Sequence, residues 1–389
     1  MDQFTAPSYP SASAGASRPG GSSNLLRFAV AAVLIFAALL AGLFTLWLIG
    51  YETGVVPLLA GLIAAVIPVP VYVTLVLWLD RYEPEPPWML ATAFFWGAFV
   101  AVFFAIIINS LGVLIVRALS DEATGRLFGM VFSAPVVEET AKALVLVALF
   151  LWRRDEFDGV TDGIVYAAMV GLGFAMTENV KYYGEAVLEH NAIGVFVVRG
   201  LFSPFAHPLF TGMTGVGLGL AAQSDRKFTK FVAPLVGFIA AVMLHAGWNA
   251  SAYLAGRFEN GAFVLLTYFL VMMPTFLGML VVVVLSLRRE GRILRDNLRA
   301  DVSTGLLSES EYACLCSVSG RMSASYSALA RGGFGLWRAR TQLNRAASEL
   351  AFHRSRAARG INPHGTTNAE REQTYVRQIH DLRLQLERK

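Results

Sequence analysis

The chain is predicted to be an all-α, polytopic membrane bundle of about eight transmembrane helices. Apolar runs of 20 or more residues recur along its first three quarters, 55% of its 389 residues are hydrophobic, and only 15% are charged. Each run is close to the ~20 residues that span a hydrocarbon core. This composition excludes an ordinary soluble domain, and nucleic acid is not an expected partner.

The runs lie at 26–49, 55–79, 88–116, 127–151, 161–183, 193–222, 231–256 and 261–287. The second contains Pro57, Pro68 and Pro70, and the sixth Pro204 and Pro208, so both are expected to bend or break. Membrane helices tolerate this where neighbours re-satisfy the freed backbone groups. The first 24 residues, rich in Ser, Ala, Gly and Pro, read as a disordered leader. The run that follows is too long for the apolar region of a cleavable signal.

Basic residues set the expected orientation. With the N-terminus inside, inner segments carry Arg18, Arg27, Arg81, Arg153, Arg154, Arg226, Lys227 and Lys230, against Arg117, Arg126, Lys181 and Arg257 outside. Arg288, Arg289 and Arg292 add a further inside signal. Both termini are therefore expected to be cytoplasmic in a multi-pass protein of the cell membrane. Three segments follow: the leader 1–24, a membrane domain 25–287, and a basic cytoplasmic tail 288–389, helical or disordered. The tail holds 18 Lys and Arg against 10 Asp and Glu, and such a segment tends to lie on anionic lipids. Its low hydrophobicity and the Gly332-Gly333 break argue against a large folded domain. Cys314 and Cys316 fall within it and read as reduced and incidental.

An acidic residue at the bilayer centre costs roughly 2.5–3.5 kcal/mol on insertion scales, so polar groups inside the runs demand a reason. Glu138 and Glu139 follow Pro135, and Lys142 lies one turn on. The i,i+4 spacing predicts a Glu138–Lys142 pair that neutralises one glutamate and leaves the other free. Glu178 and Asn179 follow Gly171 and Gly173, small residues that allow close helix approach. His207 lies between Pro204 and Pro208. His245 and Asn249, four apart, share a face, with Gly247 expected to thin the helix and Trp248 to point elsewhere. At ~1.5 Å per residue, Glu138 and His245 both lie about 16 Å below the outer ends of their runs, so the groups can meet in one site. Asp155, Glu156, Asp158 and Asp162, at an inner end, read as a solvated turn rather than a cation site.

Carboxylates, imidazoles and an amide can together activate water and stabilise an oxyanion. His207, His245 and Glu178 also make a Zn²⁺-type donor set with one position left for water. The soluble helical signature His-Glu-x-x-His is absent, and metal-assisted and metal-free hydrolysis both stay open. The alternative is an ion- or proton-coupled transporter using the same groups, although no inverted repeat suggests alternating access. A third is a silent scaffold whose tail recruits partners.

Glu138-Glu139-x-x-Lys142, Phe174-Ala-x-x-Glu178-Asn179, His207 and His245-x-x-x-Asn249 resemble the PrsW family of intramembrane proteases, related to the CAAX prenyl protease and bacteriocin-processing superfamily. Leu79 to Pro86 and Asp162 to Tyr166 look like further landmarks, so the resemblance covers about 75–255. It implies peptide-bond hydrolysis in or beside the membrane, acting on a membrane-anchored protein such as an anti-sigma factor on its outer side. Carried over, Glu138 or Glu139 would be the general base. His207, His245 and Asn249 would hold the water, a metal or the oxyanion, with Lys142, Glu178 and Asn179 in support. The related superfamily often has phenylalanine four residues before its first histidine; here that position is Ser203.

Overall fold

The computed structural model describes residues 21–154, 156–360 and 367–387; among these it contains helices and no strand. Most of the expected leader lies outside the described residues. The helices are α1 (Gly21–Thr53), α2 (Val55–Val66), α3 (Val69–Leu79), α4 (Pro87–Phe95), α5 (Val102–Leu119), α6 (Glu122–Leu127), α7 (Ala134–Trp152) and α8 (Val160–Leu188). They continue as α9 (Ala192–Phe196), α10 (Ala206–Gln223), α11 (Lys227–Arg257), α12 (Ala262–Thr267) and α13 (Met273–Ser303). Single π-helical segments, Trp96–Ala101, Phe128–Ser133, Val197–Phe202 and Tyr268–Met272, lead into α5, into α7, out of α9 and into α13.

Seven helical stretches among the described residues are long and apolar enough to cross a membrane. They match seven of the eight predicted runs. The remaining run, 127–151, falls in a continuous helical stretch over 122–152 that carries Glu138, Glu139 and Lys142. The proline expectations hold locally: Pro68 separates α2 from α3, and Pro204 lies in the break before α10.

Helix α8 is the hub. Its apolar stretch is 94% buried, while those of the other six are 11–28% buried and present Leu34, Phe36, Trp47, Leu59 and many like them outward. Lipid is as apolar as these side chains, so association depends on close packing and interhelical hydrogen bonds. Gly163 of α8 and Gly215 of α10 meet backbone to backbone: a Cβ on either would lie 2.1 Å from the other's carbonyl oxygen. The π segments are tied across helices too. Thr177 of α8 donates to the Ala98 carbonyl at 2.8 Å, filling an acceptor inside the first segment.

The two landmark segments are joined. Tyr166 donates to Glu85, whose own N–H donates to Asp80 Oδ2 at 2.6 Å. Burial raises the carboxyl pKa of both Asp80 and Glu85, and the nearby Asp162 carboxylate adds to this in each. The acidic turn before α8 is a buried cap, in place of the expected solvated loop. Asp162 Oδ2 accepts the N–H groups of Asp158 (2.9 Å) and Gly159 (2.7 Å), satisfying donors at the helix start. Asp155 lies outside the described residues.

Beyond residue 287 the structure departs from the sequence expectation. The end of α13 joins α14 (Glu309–Leu315), α15 (Val318–Ala358) and α16 (Asn368–Glu387) around an apolar core that includes Leu294, Leu298, Leu315, Leu343, Ala347 and Ile379, all 0% exposed. Alanines fill much of that core, so hydropathy stays low while packing is complete. The Gly332-Gly333 break is a fold-back within α15: Gly333 takes φ +62°, which glycine adopts without strain. The arms face each other, with Asn344 Nδ2 donating to Ser325 Oγ at 3.3 Å and Arg321 Nη2 to Ser348 Oγ at 2.8 Å. This unit grips the loop between α3 and α4. Arg356 bridges Glu83 (3.2 Å) and Asp158 (2.8 Å), and Arg321 donates to the Tyr82 carbonyl at 3.2 Å. Burial opposes the charge of Arg356, yet Glu83 and Asp158 hold its pKa above the ordinary arginine value.

Candidate active site

Four helices bring the predicted polar residues together. The helix over 122–152 supplies Glu138, Glu139 and Lys142; α8 supplies Glu178, α10 His207, and α11 His245. Glu138, Glu139, Lys142, His207 and His245 are all buried. His207 reaches the centre because α8 lets it: a Cβ on Gly171 would sit 2.8 Å from the His207 carbonyl carbon and 2.6 Å from Pro208 N. The expected thinning at Gly247 is not a packing device, since a Cβ there would meet nothing within 4 Å.

The two glutamates have different environments. Glu139 is saturated: Oε1 accepts from Lys142 Nζ (2.8 Å) and His245 Nδ1 (3.0 Å), and Oε2 from Thr211 (2.9 Å). Lys142 stands 3.7 Å from Glu138 Oε2, so its closer partner is Glu139 at i,i+3 rather than the expected Glu138. Glu138 Oε2 is buried with no hydrogen-bond partner.

Lys142 fixes the His207 tautomer and Glu139 that of His245. As an ammonium the lysine can only donate, so His207 Nδ1 accepts from Lys142 at 3.0 Å and His207 Nε2–H donates to Glu178 Oε2 at 2.9 Å. His245 donates through Nδ1 to Glu139, which leaves the Nε2 lone pair 3.8 Å from Glu138 Oε2. Glu138 Oε2 and His245 Nε2 thus face each other without a hydrogen bond. One ligand atom from each of Glu138, His207 and His245 falls within a group whose members lie within 4.8 Å of one another. Glu178, expected in that set, faces His207 and Arg199 instead.

Arg199, Thr211 and Tyr182 are site residues that the sequence reading missed. Arg199 donates to Glu178 and, through Nε, to Asn179 Oδ1 at 2.6 Å, and its guanidinium lies 3.8 Å over the Tyr182 ring. A lone arginine inside an apolar run was the available signal.

Asn249 lines a cavity with Glu138 and Glu178 and is tied to a backbone carbonyl. Its Nδ2 donates to the Met130 carbonyl at 3.0 Å. In that π segment Ala134 N–H bonds Gly129 O, so the next donor in register would be residue 135, a proline with no N–H. Pro135 orphans the Met130 carbonyl, and Asn249 satisfies it, fixing α11 to the turn before Glu138. Trp248, expected to point elsewhere, lines a cavity of ≈680 Å³ with Asn249, Glu138, Glu178 and Arg199. That cavity runs to Arg117 and Arg126, at the ends of α5 and α6.

No solved structure matches the chain. Among curated proteins it is similar to Protease PrsW of Geobacillus kaustophilus (strain HTA426), 34% identical over 151 residues, which is 38% of this chain and 60% of that protein. It is also similar to Protease PrsW of Bacillus subtilis (strain 168), 30% identical over 171 residues, covering 44% and 72% of the two chains. The chain thus spans less than two thirds of the first relative's length. Residues 85–279, which hold every side chain of the buried centre, match the family described as PrsW family intramembrane metalloprotease, and the chain belongs to that family.

Proposed function

We propose that this chain is an intramembrane endopeptidase that hydrolyses peptide bonds of membrane-anchored proteins at the Glu138–His207–His245 centre. The observation that carries this is the orphaned, buried Glu138 Oε2 facing the His245 Nε2 lone pair beside a cavity large enough for a peptide segment. Glu138 is the general base in this reading: its free oxygen can take a proton from water lodged between it and the imidazoles. Glu139 is a positioning residue, holding His245 in the tautomer that exposes Nε2, as a carboxylate behind a ligating histidine does. Glu178 accepts the His207 Nε2–H, which turns Nδ1 to Lys142, and Arg199 balances the Glu178 charge. Lys142 sits where negative charge develops and offsets it.

Glu138, His207 and His245 are of the donor types that a divalent ion of the Zn²⁺ class prefers; to hold one, His207 would have to free the Nδ1 lone pair that here accepts from Lys142. When bound, such an ion supplies Lewis acidity to the reacting carbonyl or water. Asn249 supports the site through Met130, and Asn179 through Arg199.

The same reading gives a cell-membrane protein with both termini cytoplasmic, a leader 1–24, a membrane domain 25–287 and a tail 288–389 beside anionic lipid. The cavity mouth at Arg117 and Arg126 would then face outward, which suits cleavage of an outer segment of a substrate such as an anti-sigma factor. The test is co-expression with single-pass membrane proteins carrying outer domains. Wild type generates a cleaved fragment, and Glu138→Gln and His245→Ala do not. Undiminished cleavage by both variants rejects the assignment, and ion flux abolished by them without proteolysis supports transport instead.

A further inference from the structure

The first arm of α15 has an apolar face that the described residues leave exposed. Met322, Tyr326 and Leu329, 39%, 64% and 37% exposed, recur at i, i+4 and i+7 and so share one side of the helix. Phe334, 78% exposed, follows at the fold-back, its ring centroid 5.4 Å from that of Trp337.

Two sets of contacts fix where that face points. The second arm is held to the loop between α3 and α4 at two places. Arg356 meets Glu83, and Ser348, about two turns earlier, meets Arg321, which also donates to the carbonyls of Tyr82 and Arg81. Those places are about 12 Å apart along the helix, yet both lie at one short loop at the end of the Val55–Leu79 span. The hairpin therefore runs along that end of the bundle rather than away from it. Met322 Sδ also accepts from Arg81 Nη1 at 3.6 Å, and the Arg81 guanidinium lies 3.3 Å over Trp78, which is 53% exposed in the last turn of α3. The Met322 face thus looks toward the lipid-exposed end of a span, and Tyr326 and Leu329 carry that face onward.

We propose that residues 318–334 form an interfacial helix lying in the phospholipid headgroup layer, with Met322, Tyr326, Leu329 and Phe334 dipping into the acyl boundary. Interfacial helices gain binding from buried apolar area together with attraction of basic residues to anionic lipid. Arg331, exposed, ends the arm that carries the apolar stripe, and Arg338, also exposed, follows the fold-back. The surface continues the lipid-facing surface of α3, and a soluble partner would have to enter between the helix and the bilayer to cover it. The inference rests on the spans crossing a membrane and is independent of the proposed hydrolysis.

Nitroxide labels on the full chain in phosphatidylcholine–phosphatidylglycerol vesicles test this. Labels go at Tyr326→Cys, Leu329→Cys and Phe334→Cys, with Ser323→Cys and Ser327→Cys on the other exposed side, in a Cys314→Ser/Cys316→Ser background. The Phe334 label reports from the fold-back, where it cannot disturb helix packing. Accessibility to oxygen should exceed accessibility to an aqueous nickel chelate severalfold at 326, 329 and 334, and the order should reverse at 323 and 327. Water-like accessibility at all five positions overturns the proposal. So does shielding of 326 and 329 from both reagents, which marks a protein contact.

Discussion

Glu139 Oε1 lies 3.0 Å from His245 Nδ1 and thereby turns the other imidazole nitrogen toward Glu138. Adjacent, chemically identical residues are divided by this contact into a supporting carboxylate and a free one.

The division predicts unlike consequences for like substitutions. Glu138→Gln should leave the fold intact and reduce cleavage by about 10²-fold or more, the scale of losing a general base. Glu139→Gln should also destabilise the protein, by about 3–5 kcal/mol, because it strips a buried lysine of its closest partner. Denaturation in detergent of the two purified variants distinguishes them, and equal stability would count against the assignment.

The Asn249–Met130 bond predicts a rescue. Asn249→Ala leaves a buried carbonyl unpaired, at a cost of about 1–3 kcal/mol. Pro135→Ala restores an N–H in register with that carbonyl. The double variant should therefore recover stability relative to Asn249→Ala, a positive coupling that a thermodynamic cycle reads directly. Additive losses would mean that Asn249 acts elsewhere.

Helix contact at Gly171 predicts that Gly171→Ala displaces His207, since its Cβ would collide with backbone that cannot swing aside. Activity should fall at least tenfold, a displacement effect on oriented groups. Gly247→Ala, which meets open space, should be silent in the same assay.

How much of this could be read from the sequence differs by region. The apolar runs and the convergence of Glu138, Glu139, His207 and His245 were legible because membrane burial makes each polar residue conspicuous. Which glutamate binds Lys142 was not, because i,i+3 and i,i+4 share a helix face and the choice is made by His245 and Thr211 on other helices. The Asn249–Met130 bond was not legible for a related reason: the acceptor is a backbone carbonyl freed by a proline, and one-letter patterns do not display carbonyls. The folded tail was hidden by its alanine-rich core, with residues such as Ala346, Ala347 and Ala351 contributing packing without a strong hydropathy signal.

The raised pKa values of Asp80 and Glu85 predict a pH effect on the loop between α3 and α4. A carboxyl whose folded pKa lies above its unfolded value binds protons on folding. Its stabilising contribution is full below the unfolded pKa and is lost as pH rises through the folded one. Wild-type thermal stability should therefore fall on moving from mildly acidic to alkaline buffer, and Glu85→Gln should flatten that fall. A melting series over pH checks it; a steeper fall in the variant would reverse the sign of the argument.

The most direct test of the central claim is the metal content of the purified, lipid-reconstituted chain measured alongside its proteolysis. One Zn²⁺-class ion per chain is expected, lost together with cleavage in His207→Ala, His245→Ala and Glu138→Gln while helix content is unchanged. A chain that keeps cleaving its substrate, or keeps its metal, through all three substitutions would contradict a shared centre at Glu138, His207 and His245.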